Sequence, residues 1–429
     1  MKRFLKVLLA ASALIFPLSA LGQNVGTDSP YSMYGFGLLN DRATSMQRQM
    51  GGVGYAMSSG RQINAMNPAS YAQCDSMTFL FDMGADMSFI NRNDVVTVDG
   101  ADKRVKENLK GGGLDYITMQ FPLGKYMGGS IGLIPYSSVG YSFGNDIEHG
   151  AKANHGSGGI NELYLGVAGR YAGFSLGLNL SYNFGNIVND VFAYPSSSGS
   201  AKFERVMKIR DWGIVIGAQY LLNMTRTDRM VFGVTYTPKK TLLGTSWATL
   251  QEMSQDSEPT EVARMKLKGN YYTPNTVGAG VSYTHERASR FTIEADYTWA
   301  GWADCKYPAL LSDDGKTVAP GMDFNNRSRF ALGAEFTPKI RGSYLQRMAY
   351  RLGAFYTNDY LKIKGNDLRE YGVTCGFGFP TAEGKTIVNL GFEYKHRQAH
   401  PNPLVKENYY NITLGVNFNE VWFWKRKIR

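Results

Sequence analysis

The chain has 429 residues and carries 46 lysines and arginines against 36 aspartates and glutamates, a formal net charge of +10. Its 49 glycines, 27 tyrosines and 23 phenylalanines suit tight turns, close strand contacts and interfacial belts, and argue against a helical globular protein, which would be richer in Ala, Leu, Glu and Lys. Three cysteines (Cys74, Cys305, Cys375) cannot build a disulfide framework, and the cations scatter through loops instead of forming one basic face, so no nucleic-acid partner is expected.

The first residues read as an export signal. Lys2, Arg3 and Lys6 form a positive start, Val7 to Phe16 is a short apolar run, and Ala20-Leu21-Gly22 offers small residues to a signal peptidase. Residues 1–22 are therefore expected to be removed, with the mature chain beginning at Gln23. The apolar run is shorter than the roughly 20 residues that a spanning helix needs. No cysteine lies near the cleavage site, as a lipoprotein would require. No later stretch is long and apolar enough for a spanning helix, which leaves a soluble protein or a membrane barrel.

Residues 23–76 lack clean alternation and are rich in Gly, Ser, Met and Asn. From Met77 a period-two pattern begins and recurs to the C-terminus. Met77, Phe79, Phe81, Met83, Ala85, Met87 and Phe89 alternate with Thr78, Leu80, Asp82, Gly84, Asp86 and Ser88. Successive strand side chains point to opposite faces, so one face is apolar and the other largely polar or small. Phe174, Leu176, Leu178 and Leu180 against Ser175, Gly177, Asn179 and Ser181 repeat the pattern. Counting similar runs gives an all-β chain: a transmembrane antiparallel β-barrel of about fourteen strands over 77–429. An even number is what bacterial barrels use. The connections sort by parity. Long ones at 91–111, 145–159, 185–208, 243–273 and 301–326 alternate with short ones at 123–126, 172–173, 222–228 and 285–289. That is the asymmetry of external loops and periplasmic turns. Tyr171, Tyr220, Tyr236, Tyr283, Trp299, Trp302 and Phe336 stand at strand ends, and Trp422-Phe423-Trp424 precede Lys425-Arg426-Lys427, as interfacial girdles would. The expected location is the bacterial outer membrane.

The N-terminal stretch contains Ser29-Pro30-Tyr31-Ser32-Met33-Tyr34-Gly35-Phe36-Gly37, then Met50-Gly51-Gly52-Val53-Gly54, then Asn67-Pro68-Ala69 shortly before the first strand. This order resembles the FadL family of outer-membrane transporters for hydrophobic compounds, and most of all the branch found in Bacteroidetes-type bacteria. The match is specific at Gly51, Gly52 and Gly54 and at Asn67, Pro68 and Ala69, and diffuse elsewhere. The resemblance implies that residues 23–76 fold inside the barrel as a plug. Physically, irregular backbone at membrane depth is tolerated only when buried in protein or facing water. Asn67-Pro68-Ala69 equally suits a stiff turn into strand one.

In strand three, Gly128, Gly129, Gly132 and Pro135 interrupt a ladder that should be continuous. A mid-strand proline loses a hydrogen bond and favours a bulge or kink. The resemblance implies a side opening here, near 132–138; a bulge that only curves the wall is the plainer reading.

Catalytic and metal chemistry is not expected. The histidines His149, His155, His285, His396 and His400 lack a supporting zinc pattern, no phosphate-binding glycine loop precedes a helix, and no hydrolase signature is present. No cofactor is expected either. Asp82, Asp86, Arg170, Glu294, Asp296, Glu335, Arg351, Glu393 and Lys395 should face the lumen, and their mixed signs suit pairing or plug contacts. The expected function is passive uptake of a hydrophobic or amphipathic small molecule, long-chain fatty acid-like, with lateral release into the outer-membrane lipids near strand three. Val191–Tyr194 and Tyr307–Leu311 are candidate capture segments. The alternative, drawn from relatives of the family in type IX secretion, is a barrel that binds a protein partner as a scaffold or shuttle for secretion or surface attachment.

Overall fold

The structure, a computed structural model, describes residues 29–98, 101–147, 150–195, 199–254, 257–311, 316–381 and 386–421. The expected export signal at 1–22, the expected start of the mature chain, His149 and the Trp422–Lys427 aromatic and basic end lie outside the described residues.

Alternation along the chain becomes fourteen antiparallel strands: β1 Thr78–Val98, β2 Ala101–Pro122, β3 Met127–Ile147, β4 Gly150–Tyr171, β5 Phe174–Pro195, β6 Ser200–Asn223, β7 Asp228–Thr237, β8 Thr276–Glu286, β9 Arg290–Ala300, β10 Arg327–Thr337, β11 Ala349–Ile363, β12 Asn366–Pro380, β13 Ile387–His400 and β14 Lys406–Val421. Each pairs with its chain neighbours, and β1 closes on β14 from Thr78 opposite Val421 to Asn93 opposite Lys406. Closure removes the free edges of the sheet, the condition for spanning with strands, except where β2 and β3 part beyond Leu133. On β5, Leu176 is 63% exposed while Ser175 is 1% exposed. The apolar row faces lipid and the small polar row faces inward.

The long external connections differ from expectation. Residues read as loops at 91–111, 145–159 and 185–208 are largely continuations of paired strands: β1 runs to Val98, β3 to Ile147 and β5 to Pro195. Ladder hydrogen bonds do not depend on side-chain pattern. Above the lipid there is no apolar face to enforce period two, so the sequence loses alternation where the backbone does not lose pairing. A further hairpin, Gly244–Ser254 with Ser257–Leu267, extends this rampart by pairing with the outer half of β6.

Trp302 also departs from expectation. It does not stand in an outward girdle. After β9 the chain turns inward through a short 3-10 turn, and Trp302 is 1% exposed within an aromatic cluster over the outer mouth. Phe36, Phe324 and Tyr360 pack on it with centroid separations of 4.5 to 5.7 Å, and Tyr307 packs on Phe36 and Phe324.

Residues Ser29 to Cys74 are mostly buried within the ring of strands. They enter along β3 with Leu38 and Leu39 paired to Ser138 and Ser137, pass a helical turn at Ser45–Arg48, and leave through a 3-10 turn at Pro68–Gln73. Inward glycines let the two backbones meet. A Cβ at Gly177 of β5 would stand 2.4 Å from the Pro68 carbonyl carbon. Gly177→Val is therefore expected to leave the barrel folded, seen as heat-modifiable gel mobility. It should unseat Pro68–Ala69 and make the half-buried Arg42 and Arg48 cleavable by trypsin.

Candidate functional site

The chemistry of the interior lies where the N-terminal segment meets the wall. Inward carboxylates on β9 take main-chain donors from the glycine-rich stretch. Asp296 accepts from the Gly54 and Tyr55 amides at 2.7 and 3.0 Å, and Glu294 from the Ala56 amide at 2.9 Å. On β10 and β11, Arg329 donates to the Gly51 carbonyl at 2.8 Å, while Arg351 donates to Gln49 at 2.8 Å and pairs with Glu335 at 2.7 Å. Gly51 and Gly52 have φ of +71° and +80°, and a Cβ on Gly51 would lie 2.8 Å from the Ala354 carbonyl oxygen. Only glycine suits that turn against the wall. On the next loop, Asn67 caps the Pro68 turn by accepting from the Ala69 amide at 3.0 Å. Its amide group donates to the Tyr55 and Ala218 carbonyls. Gly51, Gly52 and Gly54 thus lie against β9 to β11, and Asn67, Pro68 and Ala69 against β5 and β6, two of several places where the segment meets the wall.

Of the residues expected to face the lumen, Asp82, Glu294, Asp296, Glu335 and Arg351 are buried inward. Asp86, Glu393 and Lys395 line a cavity, and Arg170 donates to Gln73 at 2.8 Å. Sequence reading missed the partners that come from the segment itself. Arg42 pairs with Glu162 at 2.7 Å, Arg48 with Asp115 at 2.7 Å, and Asp41 with Arg327 and Arg329 at 3.2 Å each. Burial would raise the Asp41 pKa, but Arg329 and Arg327 outweigh it and hold the carboxyl at about 2. No periodicity marks such residues in an irregular stretch. Three Arg and Asp side chains between Asp41 and Arg48 are the one signal available.

Strand three carries the other feature. Gly128, Gly129 and Gly132 lie in a ladder that is continuous toward both β2 and β4. They serve close packing: a Cβ on Gly128 would lie 1.9 Å from the Tyr71 carbonyl oxygen. The ladder to β2 ends at Leu133, opposite Ile117. Two extra residues flank the parting. Asp115 on β2 is skipped between Tyr116 and Leu114, and Tyr136 on β3 between Pro135 and Ser137. Beyond it β2 has no ladder partner on this side among the described residues. The N-terminal segment instead takes the edge of β3. The Asn40 amide donates to the Tyr136 carbonyl at 3.0 Å and the Ser29 amide to the Gly140 carbonyl at 2.8 Å. Both lips of the parting thus hold the same segment, β2 through Asp115–Arg48 and β3 through Leu38–Asn40.

Two cavities flank Leu39–Asp41, which lines both. One, about 150 Å³, is lined by apolar Phe36, Tyr55, Met66, Ile160 and Leu242 together with charged Asp41, Arg42, Asp211, Lys240, Arg327 and Arg329. The other, about 230 Å³, opens beside Pro135 and is lined by charge, including Asp86, Asp115, Glu370, Glu393, Lys395 and Arg397. Of the candidate capture segments, Tyr307 and Leu310 are buried in the aromatic cluster, and Val191–Tyr194 is the outer part of β5. Among the described residues no group of three His, Cys, Asp or Glu is placed to hold a metal ion, and the three thiols are separate.

A family model described as BamG matches residues 4–429. No curated protein matches the chain. Among solved structures, the toluene transporter TodX of P. putida superposes with a TM-score of 0.61 at 16% identity, covering 90% of this chain and 100% of its own. A FadL homologue of Pseudomonas aeruginosa gives 0.61 at 11%, covering 89% and 99%. The monoaromatic hydrocarbon channel CymD gives 0.56 at 15%, covering 89% and 99%. At these identities the likeness is one of fold.

Removing one partner of the Arg351–Glu335 pair leaves a buried charge alone, which costs about 3–5 kcal/mol. Arg351→Ala should lower the denaturant midpoint accordingly, and Arg351→Met with Glu335→Leu should recover most of the loss. Equal midpoints for Arg351→Ala and wild type would refute the pairing argument.

Proposed function

The chain belongs to the BamG family, and from that premise, with the fold of a FadL-like bacterial outer-membrane barrel, we propose that it takes up hydrophobic or amphipathic small molecules passively. The molecule, long-chain fatty acid-like in size, leaves sideways near strand three. Residues 1–22 are the export signal, 23–76 the plug and 77–429 the barrel. Gly51, Gly52, Gly54, Asn67, Pro68 and Ala69 seat the plug; Gly128, Gly129, Gly132 and Pro135 form the strand that yields the side exit.

The observation that carries this reading is the parting of β2 from β3 beyond Leu133, with one plug segment bound to both lips. The hydrogen bonds among these contacts, such as the Asn40 amide on the Tyr136 carbonyl, are each worth only about 0.5–1.5 kcal/mol net, while Leu38 shares an apolar cluster with Val139 and Tyr141 of β3. The two cavities meeting at Leu39–Asp41, one of mixed apolar and charged lining and one mostly charged, suit a molecule with a tail and a polar head. The charged lining beside Pro135 favours an amphiphile over a pure hydrocarbon. Movement follows the gradient and ends in the membrane lipids.

Leu39 and Ser137 are direct cross-strand partners. A Leu39→Cys/Ser137→Cys pair, oxidised, should pin the plug to the lip and abolish uptake of a fluorescent long-chain fatty acid by intact cells; reduction should restore it. Unchanged uptake in the oxidised protein would sink lateral release past this segment. Pro135→Ala should straighten β3 and reduce the amphiphile that co-purifies, measured by lipid mass spectrometry.

One observation favours the second reading, a scaffold or shuttle subunit that binds a protein partner. Phe36 and its aromatic neighbours close the outer mouth. A stoichiometric protein with no enriched amphiphile in the same purification would decide for it.

A further inference from the structure

The turn between β10 and β11, residues 338–348, is longer than the turns at 123–126, 172–173, 224–227 and 287–289 on its side of the barrel. Its helical turn Tyr344–Arg347 is closed by a capping box between Ser343 and Gln346, and the Lys339 amide donates to the Gln346 carbonyl at 2.8 Å. It is fastened to the neighbouring turn by the Ile340 amide on the Ala288 carbonyl at 3.0 Å.

Its direction is fixed by Tyr350. That residue stands opposite Phe336 on the lipid-facing row, and its ring meets Phe377 at 5.8 Å. The Tyr350 hydroxyl donates to the Leu345 carbonyl at 3.0 Å. The turn therefore folds back over the outer face of the wall, and not under the lumen. There it presents large apolar side chains with nothing over them: Leu345 is 65% exposed, Tyr344 47% and Ile340 38%. Its charges are Lys339, Arg341 and Arg347, with no carboxylate between 338 and 348. The Arg347 Nε is shielded from water and meets no acceptor.

We propose that this turn is a docking foot for anionic phospholipid headgroups of the periplasmic leaflet. Leu345 and Tyr344 enter the acyl boundary, continuous with the exposed Phe336 below them, and the three cations meet phosphate oxygens. Apolar and aromatic side chains beside lysine and arginine are the arrangement that holds an amphipathic segment in that layer. A protein partner would cover the apolar residues too, but the location over the lipid-facing row places phosphate within reach of the cations.

The test uses the full-length protein in detergent with equal phosphatidylglycerol and phosphatidylcholine, read by native mass spectrometry. Lys339 and Arg341 are exposed, so Lys339→Ala/Arg341→Ala removes charge without disturbing the turn's main-chain bonds; heat-modifiable mobility checks folding. Wild type should retain phosphatidylglycerol over phosphatidylcholine. The double variant should lose at least about fivefold of that preference, the effect of one surface cation or more. Leu345→Asp should lower retention of both lipids. Equal preference in wild type and the double variant overturns the proposal. So does a periplasmic protein that binds wild type and not the double variant while the lipid preference stays unchanged.

Discussion

Inward-facing charge on the barrel wall has to be matched within the barrel, and the N-terminal segment matches much of it. A barrel of this size puts Glu294, Asp296, Arg329 and Arg351 where bulk water is largely displaced. Each of them finds an amide, a carbonyl or a side chain of residues 49–56. Two problems thereby solve one another: the segment has no ladder of its own for its polar backbone, and the wall has charges without enough water. Glycine on both sides makes the distance short enough, at Gly51 in the segment and Gly177 in the wall.

The parting of β2 and β3 is a local relaxation of that same constraint. A closed barrel should pair every strand along its length, yet here six paired residues suffice before the strands separate. Bulges at Asp115 and Tyr136 turn one residue on each lip toward the N-terminal segment, so the lost ladder bonds are replaced in part by the Asp115–Arg48 pair and the Asn40 amide.

Three features of the fold and site stood in the sequence: the alternation, the inward carboxylates of β9, and the Asn67-Pro68-Ala69 turn. Each has a local physical signature, since period two reports two faces and Asn-Pro reports a capped turn. Other features were hidden. The strand extensions at 91–98 and 101–111 stay paired without alternating, since ladder bonds do not depend on side-chain pattern, and Trp302 resembled an interfacial residue because a strand end can turn either outward or inward.

The sequence by itself determined that the chain alternates, that it does so over about fourteen strands, and that the N-terminal segment does not. These follow from side-chain periodicity, which is a property of neighbours in the chain. Only the tertiary structure decided that Arg48 would meet Asp115, that Asp41 would sit between Arg327 and Arg329, and that β3 would keep its glycine-rich ladder and lose β2 only after Leu133. Those contacts join residues from 67 to 288 positions apart. They depend on barrel closure and strand register, which no local pattern encodes.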